Sequence, residues 1–211
     1  LGNHDLHFLA VANGIKRPNP KDNLSPLLNS SRLEYFVDWL RNQPLILELP
    51  AQAGYMTHAG LPPRWSTDNA VKWAEHLHEQ LSSSDYSEFL PHMYGNEPAT
   101  WSEDLSNLEK LKFTINGLTR MRFCSHDGIL NFADKTSPVI DAHEHQVSQL
   151  IPWYEYEPDR FNDQKWVFGH WAALMGKTNN PNVIGLDTGY VWGNFLTILH
   201  WQNQKKIEIS A

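Results

Sequence analysis

Three turns of this chain combine a glycine with a side chain that can bind a metal, and two of them directly follow a predicted strand. They are Leu1-Gly2-Asn3-His4-Asp5, Thr57-His58-Ala59-Gly60 and Phe168-Gly169-His170-Trp171. The carboxyl ends of strands in α/β folds meet at one crevice, and glycines let the backbone approach a ligand closely. Imidazole nitrogen and amide oxygen suit zinc, manganese, cobalt or iron. These turns therefore predict an α/β fold with a site at the strand ends.

Apolar spacing along the chain predicts alternating helices and strands. Segments 6–12, 30–42 and 67–81 indicate helices, whereas 45–49 and 54–57 predict two short strands around a turn. The second half is richer in strands, with a hairpin over 118–124 and 129–132 and further strands at 165–168, 183–186, 195–201 and 205–209. We predict one α/β domain over residues 1–211: two sheets packed together, helices outside, and a helical insertion at about 64–112.

Composition narrows the class of partner. Of the 211 residues, 41% are hydrophobic and 19% charged, as in a globular domain, and the formal net charge is −7. An acidic balance argues against nucleic acid as a partner, because such binding relies on a basic face. No apolar run approaches the ~20 residues of a membrane span, so no membrane partner is expected. A single cysteine, Cys124, favours a cytoplasmic location and a buried thiol.

Further motifs occur in the order found in one enzyme family. They are Arg17-Pro18, Lys21-Asp22, Tyr55-Met56, Thr119-Arg120-Met121-Arg122-Phe123-Cys124, Leu186-Asp187-Thr188-Gly189, Trp192-Gly193 and Leu196-Thr197. With the three glycine turns, they resemble the symmetrical diadenosine tetraphosphatases of the calcineurin-like metallophosphoesterase superfamily. The resemblance extends over nearly the whole chain, although Gly2-Asn3-His4-Asp5 alone indicates only the superfamily.

The resemblance implies a fold, a reaction and a set of site residues. The fold is an α/β sandwich of two mixed sheets flanked by helices. The reaction uses two divalent metal ions, such as manganese or cobalt, to hydrolyse a small dinucleoside polyphosphate, diadenosine tetraphosphate, to two ADP. The matching positions are Asn3, His58 and His170 for one metal, His4 and Asp5 for the catalytic histidine and its neighbour, and Arg120 or Arg122 for substrate phosphate.

Two motifs that stand before Gly-Asn-His-Asp in the family have no counterpart before it in this sequence. Asp-x-His and Gly-Asp normally precede Gly-Asn-His-Asp, whereas this chain begins at Leu1. We therefore expect a fragment whose first βαβ portion is missing. One metal then has no protein ligand, and the other keeps three neutral ligands without a bridging carboxylate, which compensates a dication poorly. The expectation for the chain as written is weak or absent metal binding and an inactive fragment.

Two other functions fit the same motifs. One is a protein serine/threonine phosphatase of the same superfamily, which would act on phosphopeptides. The other is a truncated, non-catalytic nucleotide-binding module. Metal identity, preferred polyphosphate length and oligomeric state stay open.

Some residues have plainer explanations than catalysis. His143-Glu144-His145, after Asp141, matches no family motif and is interpreted as part of a solvated loop. Asp187 is interpreted as fixing its turn by bonding the backbone. Alternation of Arg120 and Arg122 predicts one face of an edge strand, where either one alone could simply face solvent.

Adenine stacking requires an exposed tryptophan, because most tryptophan in a small domain belongs to the core. The chain has nine tryptophans. Trp65 and Trp101 are the candidates, since both lie in polar segments.

Overall fold

The computed structural model describes residues 1–138 and 149–211 and confirms the predicted α/β class. The helices in these ranges are α1 (Asn3–Ala12), α2 (Ser25–Leu28), α3 (Leu33–Arg41), α4 (Thr67–Ser82), α5 (Tyr86–Phe89) and α6 (Asn107–Thr119). The strands are β1 (Ile46–Glu48), β2 (Gly54–Thr57), β3 (Phe123–Ser125), β4 (Leu130–Asn131), β5 (Leu150–Pro152), β6 (Lys165–Phe168), β7 (Val183–Gly185), β8 (Asp187–Thr188), β9 (Phe195–His200) and β10 (Lys205–Ser210). The His143-Glu144-His145 cluster and Asp141 lie outside the described residues.

A four-stranded mixed sheet, in the order β1-β2-β6-β7, carries two of the predicted strand ends. β1 and β2 pair antiparallel, with Ile46 opposite Thr57, as the turn between them predicted. β2 and β6 are parallel neighbours, and β6 is parallel to β7. Parallel pairing brings the carboxyl ends of β2 and β6 to the same edge of the sheet. His58 and His170 follow these two ends.

The other described strands form two antiparallel sheets, β10-β9-β8 and β4-β3-β5. The predicted hairpin is present as β3 and β4, with Cys124 opposite Leu130. It is shorter than predicted, because Leu118 and Thr119 belong to α6. The sequence predicted two mixed sheets, whereas the described strands form three, of which only the first is mixed.

α4 shows how the helices between β2 and β3 cover the core. Its first turn is capped by Ser66, whose side chain accepts a hydrogen bond from the Asn69 amide over 3.2 Å. Apolar residues at helical spacing then form its buried face: Ala70, Trp73, Ala74, Leu77 and Leu81. The helical segment continues past the predicted end near residue 112, since α6 ends at Thr119. The single-domain organisation stays a prediction.

The cysteine is part of this core. Cys124 is fully buried in β3, and burial raises the pKa of its thiol to about 12. The thiol is therefore protonated at neutral pH and packs as a small apolar group, as expected from the sequence. Within the described ranges, no helix combines the length and the apolar character that a membrane crossing needs.

Candidate active site

One cavity of about 1010 Å³ brings most of the predicted site residues together. The predicted residues that line it are Asn3, His4, His58, Arg120, Arg122 and His170. Lys135, Asp187 and Trp192 line it as well. Among the predicted site residues, Asp5 alone is not part of this lining.

Backbone hydrogen bonds hold the two histidine turns against each other. The Gly169 amide donates to the His58 carbonyl over 2.9 Å, and the two imidazole centroids are 5.0 Å apart. The Ala59 amide donates to the Leu118 carbonyl over 2.8 Å, which ties the same turn to the end of α6. Three elements that are distant in the sequence therefore meet at this edge of the sheet.

Asn3 reaches the cavity from the first turn of α1, which begins at Asn3 rather than after Asp5 as predicted. The Oδ1 atom of Asn3 is 2.8 Å from Nε2 of His58. Gly2 makes this contact possible, because a Cβ atom there would lie 2.6 Å from Nδ1 of His58. This glycine therefore makes room for an imidazole ring.

His170 is held in an unusual backbone conformation. Its φ of 63° lies in the left-handed region, which side chains other than glycine rarely adopt. Its Nε2 is 3.0 Å from the Arg120 carbonyl oxygen. A carbonyl can only accept, so Nε2 carries the proton and the lone pair is on Nδ1. Strained backbone and a fixed tautomer are both typical of functional histidines.

Both histidines are neutral at physiological pH. Burial lowers the pKa of His58 to about 4, partly opposed by the charge of Asp5. Burial and then the nearby Arg122 guanidinium lower the pKa of His170 to about 2. A histidine must be unprotonated to bind a metal ion, so these pKa values leave both side chains available as ligands.

The lowered pKa values predict a pH-dependent stability in the presence of a chelator. Unfolded histidine has a pKa of about 6.5, so below that pH protons bind the unfolded chain in preference to the folded one. Stability is fully present above about pH 6.5 and is lost as the pH falls towards the folded values. We expect the free energy of unfolding, measured with urea between pH 7 and 5, to fall by up to ~1.4 kcal/mol per pH unit for each histidine. His58→Gln should reduce this slope; an unchanged slope would contradict the assignment.

Asn3, His58 and His170 fit one divalent ion by donor type, since they offer two neutral imidazoles and an amide oxygen at one cavity. In the part of the chain that the structure describes, no group of three or more His, Cys, Asp or Glu side chains could hold a metal. Asp187 lines the cavity, but its Oδ1 accepts from the Gly189 amide over 3.1 Å. That bond confirms its turn-fixing interpretation.

Asp5 has a helix-capping bond. Its Oδ2 accepts a hydrogen bond from the Gly2 amide over 2.8 Å at the start of α1. A carboxylate at this position also stabilises the positive end of the helix dipole. The carboxylate thus bonds the backbone instead of pairing with His4, and a catalytic role for either residue stays a prediction.

The two arginines differ in how many of their donors are already used. The Arg120 guanidinium donates to three acceptors, the Gly95 carbonyl, Asn96 Oδ1 and Asn116 Oδ1, at 2.6 to 2.9 Å. Among the described residues, the Arg122 guanidinium donates one longer hydrogen bond, 3.3 Å, to the His170 carbonyl. Arg122 therefore has more donors left for a phosphate.

The strand assignment behind the arginine pair is wrong. Arg120 caps the carboxyl end of α6, and Arg122 precedes the first residue of β3. The alternation of basic residues indicated a strand, but the helix continues until just before them. Both side chains nevertheless line the cavity.

The tryptophans proposed for stacking do not line this cavity. Trp65 is 2% exposed, and its ring packs edge-on against that of half-buried Trp101, with centroids 5.0 Å apart. The exposed tryptophan at the cavity is Trp192, which the sequence analysis used only as part of a family motif. The signal for it was its position between Gly189 and Gly193, because closely spaced glycines indicate a surface turn rather than the interior of a strand.

Three curated proteins that are similar to this chain share one description. The chain is 44% identical to "Bis(5'-nucleosyl)-tetraphosphatase, symmetrical" of Photobacterium profundum over 208 residues, covering 99% of this chain and 74% of the relative. Proteins of the same description from Shewanella loihica and Colwellia psychrerythraea are 45% and 42% identical over 98% and 97% of this chain, and 74% and 75% of their own. No protein-family model matches the chain.

A solved structure supports the fold. A crystal structure assigned to a diadenosine tetraphosphatase covers 100% of this chain, with a TM-score of 0.53 and 19% identity, and the match spans 67% of that protein. The α/β architecture described above is therefore shared with a solved fold.

Proposed function

Because the chain belongs to the symmetrical bis(5'-nucleosyl)-tetraphosphatases, we propose that it acts as a hydrolase of phosphoric anhydrides, cleaving diadenosine tetraphosphate to two ADP. The single observation that carries this proposal is one cavity lined both by side chains that can bind a metal ion and by basic side chains. Asn3, His58 and His170 supply the donors, and Arg122 supplies a guanidinium with free N–H groups.

The charges of the cavity suit a polyphosphate although the whole chain is acidic. Arg120, Arg122 and Lys135 line it, against one carboxylate, that of Asp187. Asn3 and His4 belong to the first turn of α1, so the positive end of that helix also faces the cavity. A local positive field of this kind attracts phosphate regardless of the net charge of −7.

In the proposed reaction, water adds to one of the two central phosphorus atoms, and the anhydride bond between them breaks. One ADP leaves as the other receives the oxygen of water. A divalent metal bound by Asn3, His58 and His170 would polarise the phosphoryl oxygens and lower the pKa of water. The fork of the Arg122 guanidinium matches phosphate geometry and stays charged at any working pH. His4, which lines the cavity, would exchange a proton with the reacting oxygens.

The described donors should bind a metal ion with low affinity. The three donors are neutral, and the carboxylate of Asp187, the one that lines the cavity among the described residues, already accepts a bond from the Gly189 amide, so a bound dication is poorly compensated. We propose that the residues described here bind one manganese or cobalt ion weakly and that hydrolysis by the 211-residue chain is correspondingly slow. A cytoplasmic location, with a small molecule as the partner, belongs to the same proposal.

Product analysis tests the function. The protein is incubated with diadenosine tetraphosphate and manganese, and the nucleotides are separated by anion exchange. We expect ADP alone, in a ratio of two per substrate, and no product when a chelator is present. AMP and ATP in equal amounts would contradict symmetrical cleavage. Release of phosphate from a phosphopeptide, without any ADP, would select the protein phosphatase instead.

A further inference from the structure

Trp192 exposes its indole ring at the rim of the candidate active site. Its side chain is 79% exposed, whereas Trp65, Trp153, Trp166 and Trp171 are fully buried. In the part of the chain that the structure describes, the indole makes no ring contact and no hydrogen bond. Removing a ring of this size from water is favourable in free energy. Its exposure beside a polar cavity therefore leaves a large apolar surface available to a ligand.

The turn that carries this ring has a well-defined backbone. Residues Tyr190–Trp192 form one short turn between Gly189 and Gly193, whose φ angles of 74° and 84° only glycine adopts without strain. The Trp192 amide donates to the Gly189 carbonyl over 2.9 Å, and Asp187 bonds the Gly189 amide at the base of the turn. A ligand that contacts the ring therefore does not have to order the turn first, which lowers the entropic cost of binding.

The cavity lining combines two kinds of surface. Arg122 and Lys135 contribute positive charge, and Trp192 with Val191, which is 83% exposed, contributes an apolar surface. A ligand that carries phosphates and a flat aromatic group matches both. Phosphate alone would leave the indole unused, and the cavity volume of about 1010 Å³ is of the size that whole organic ligands occupy.

We propose that Trp192 is the platform on which one adenine base of the substrate stacks. The identity of the ligand rests on the proposed function, whereas the platform rests on the exposure and position of the ring. Stacking uses the π-face that every base has, so Trp192 contributes affinity without reading the base. The chain should then accept guanine in place of adenine with little loss of affinity at this subsite.

Equilibrium binding of ADP and of inorganic pyrophosphate tests the proposal. Trp192→Ala should weaken ADP binding on the order of tenfold and leave pyrophosphate binding unchanged, because a base stacks on an aromatic ring whereas pyrophosphate does not. Trp192→Phe should retain most of the affinity for ADP. Trp39→Ala is the matched control, since Trp39 is also exposed, at 54%, but lies on α3 and does not line the cavity.

The outcomes separate this inference from the proposed function. Three results would overturn the platform. The first is equal ADP binding by the Trp192→Ala and Trp39→Ala variants, and the second is a loss of pyrophosphate binding in Trp192→Ala as large as its loss of ADP binding. The third is no ADP binding by the unaltered protein. Failure of the proposed function has a different result: no ADP is produced from diadenosine tetraphosphate, while ADP still binds in a Trp192-dependent way.

Discussion

Replacing His170 with alanine is expected to lower the rate of diadenosine tetraphosphate hydrolysis by at least about 100-fold. Loss of a residue that only orients a metal ligand has a smaller effect, about 10- to 100-fold. In the proposed metal site, His170 is one of three neutral donors, and its lone pair is on Nδ1 because Nε2 donates to the Arg120 carbonyl. The variant would leave only two of these three donors for the metal. Manganese titration by calorimetry and the hydrolysis rate are the two measurements.

The backbone of His170 requires a second variant as a control. Alanine at a φ of 63° costs roughly 1–2 kcal/mol of strain, whereas glycine adopts this conformation freely. His170→Gly should therefore lose hydrolysis as fully as His170→Ala while keeping more of the free energy of unfolding. His76→Ala, on the exposed face of α4, should change neither property. Hydrolysis within threefold of the unaltered chain in His170→Gly would exclude His170 as a ligand.

Replacing Gly60 with alanine is expected to lower the free energy of unfolding by ~1–3 kcal/mol, the usual cost of overfilling a packed core. A Cβ atom at Gly60 would lie 2.4 Å from Cε2 of Trp153. The Trp153 ring is fully buried and packs edge-on against Phe168, whose centroid is 5.2 Å away. Moving Trp153 would therefore disturb the strand that ends beside His170. Urea unfolding measures the loss.

Gly169→Ala is the matched control for this prediction. Both glycines lie within two residues of a site histidine, but the nearest atom to a Cβ at Gly169 is the His58 carbonyl oxygen, at 3.7 Å. That is an ordinary contact, so the free energy of unfolding of Gly169→Ala should be close to that of the unaltered protein. Gly60→Ala should also cost less stability when it is made in the Trp153→Phe variant than when it is made in the unaltered protein, because the smaller ring leaves room for the added methyl group. Equal losses from the two glycine substitutions would contradict the packing explanation.

Strand-end turns were predictable because they depend on local chemistry. Short apolar runs bounded by glycine indicated β2 and β6, and the histidines directly after them were recognised as candidate ligands. The sequence could not show that these strands are parallel neighbours, with Gly54 opposite Lys165, 111 residues later. It is this pairing, rather than either turn alone, that brings the imidazoles within 5.0 Å of each other.

Side chains near the turns were predicted less well, because their roles depend on neighbours distant in the sequence. Arg120 and Arg122 looked equivalent, but only Arg120 meets three acceptors, from segment 95–96 and from α6. Trp65 looked exposed in a polar segment, yet it packs with Trp101 and Phe113 in the core.

The sequence by itself determined the α/β class, the family and the residue types at the candidate site, because periodicity, glycine turns and motif order are local properties of the chain. The tertiary structure alone decided which of those residues share a cavity, and it showed that Gly2 and Gly60 make room for the rings of His58 and Trp153. It also showed that Trp65 is buried in the core, whereas Trp192 is exposed at the cavity. The physical reason is that burial and contact depend on packing between distant segments, which no local pattern specifies.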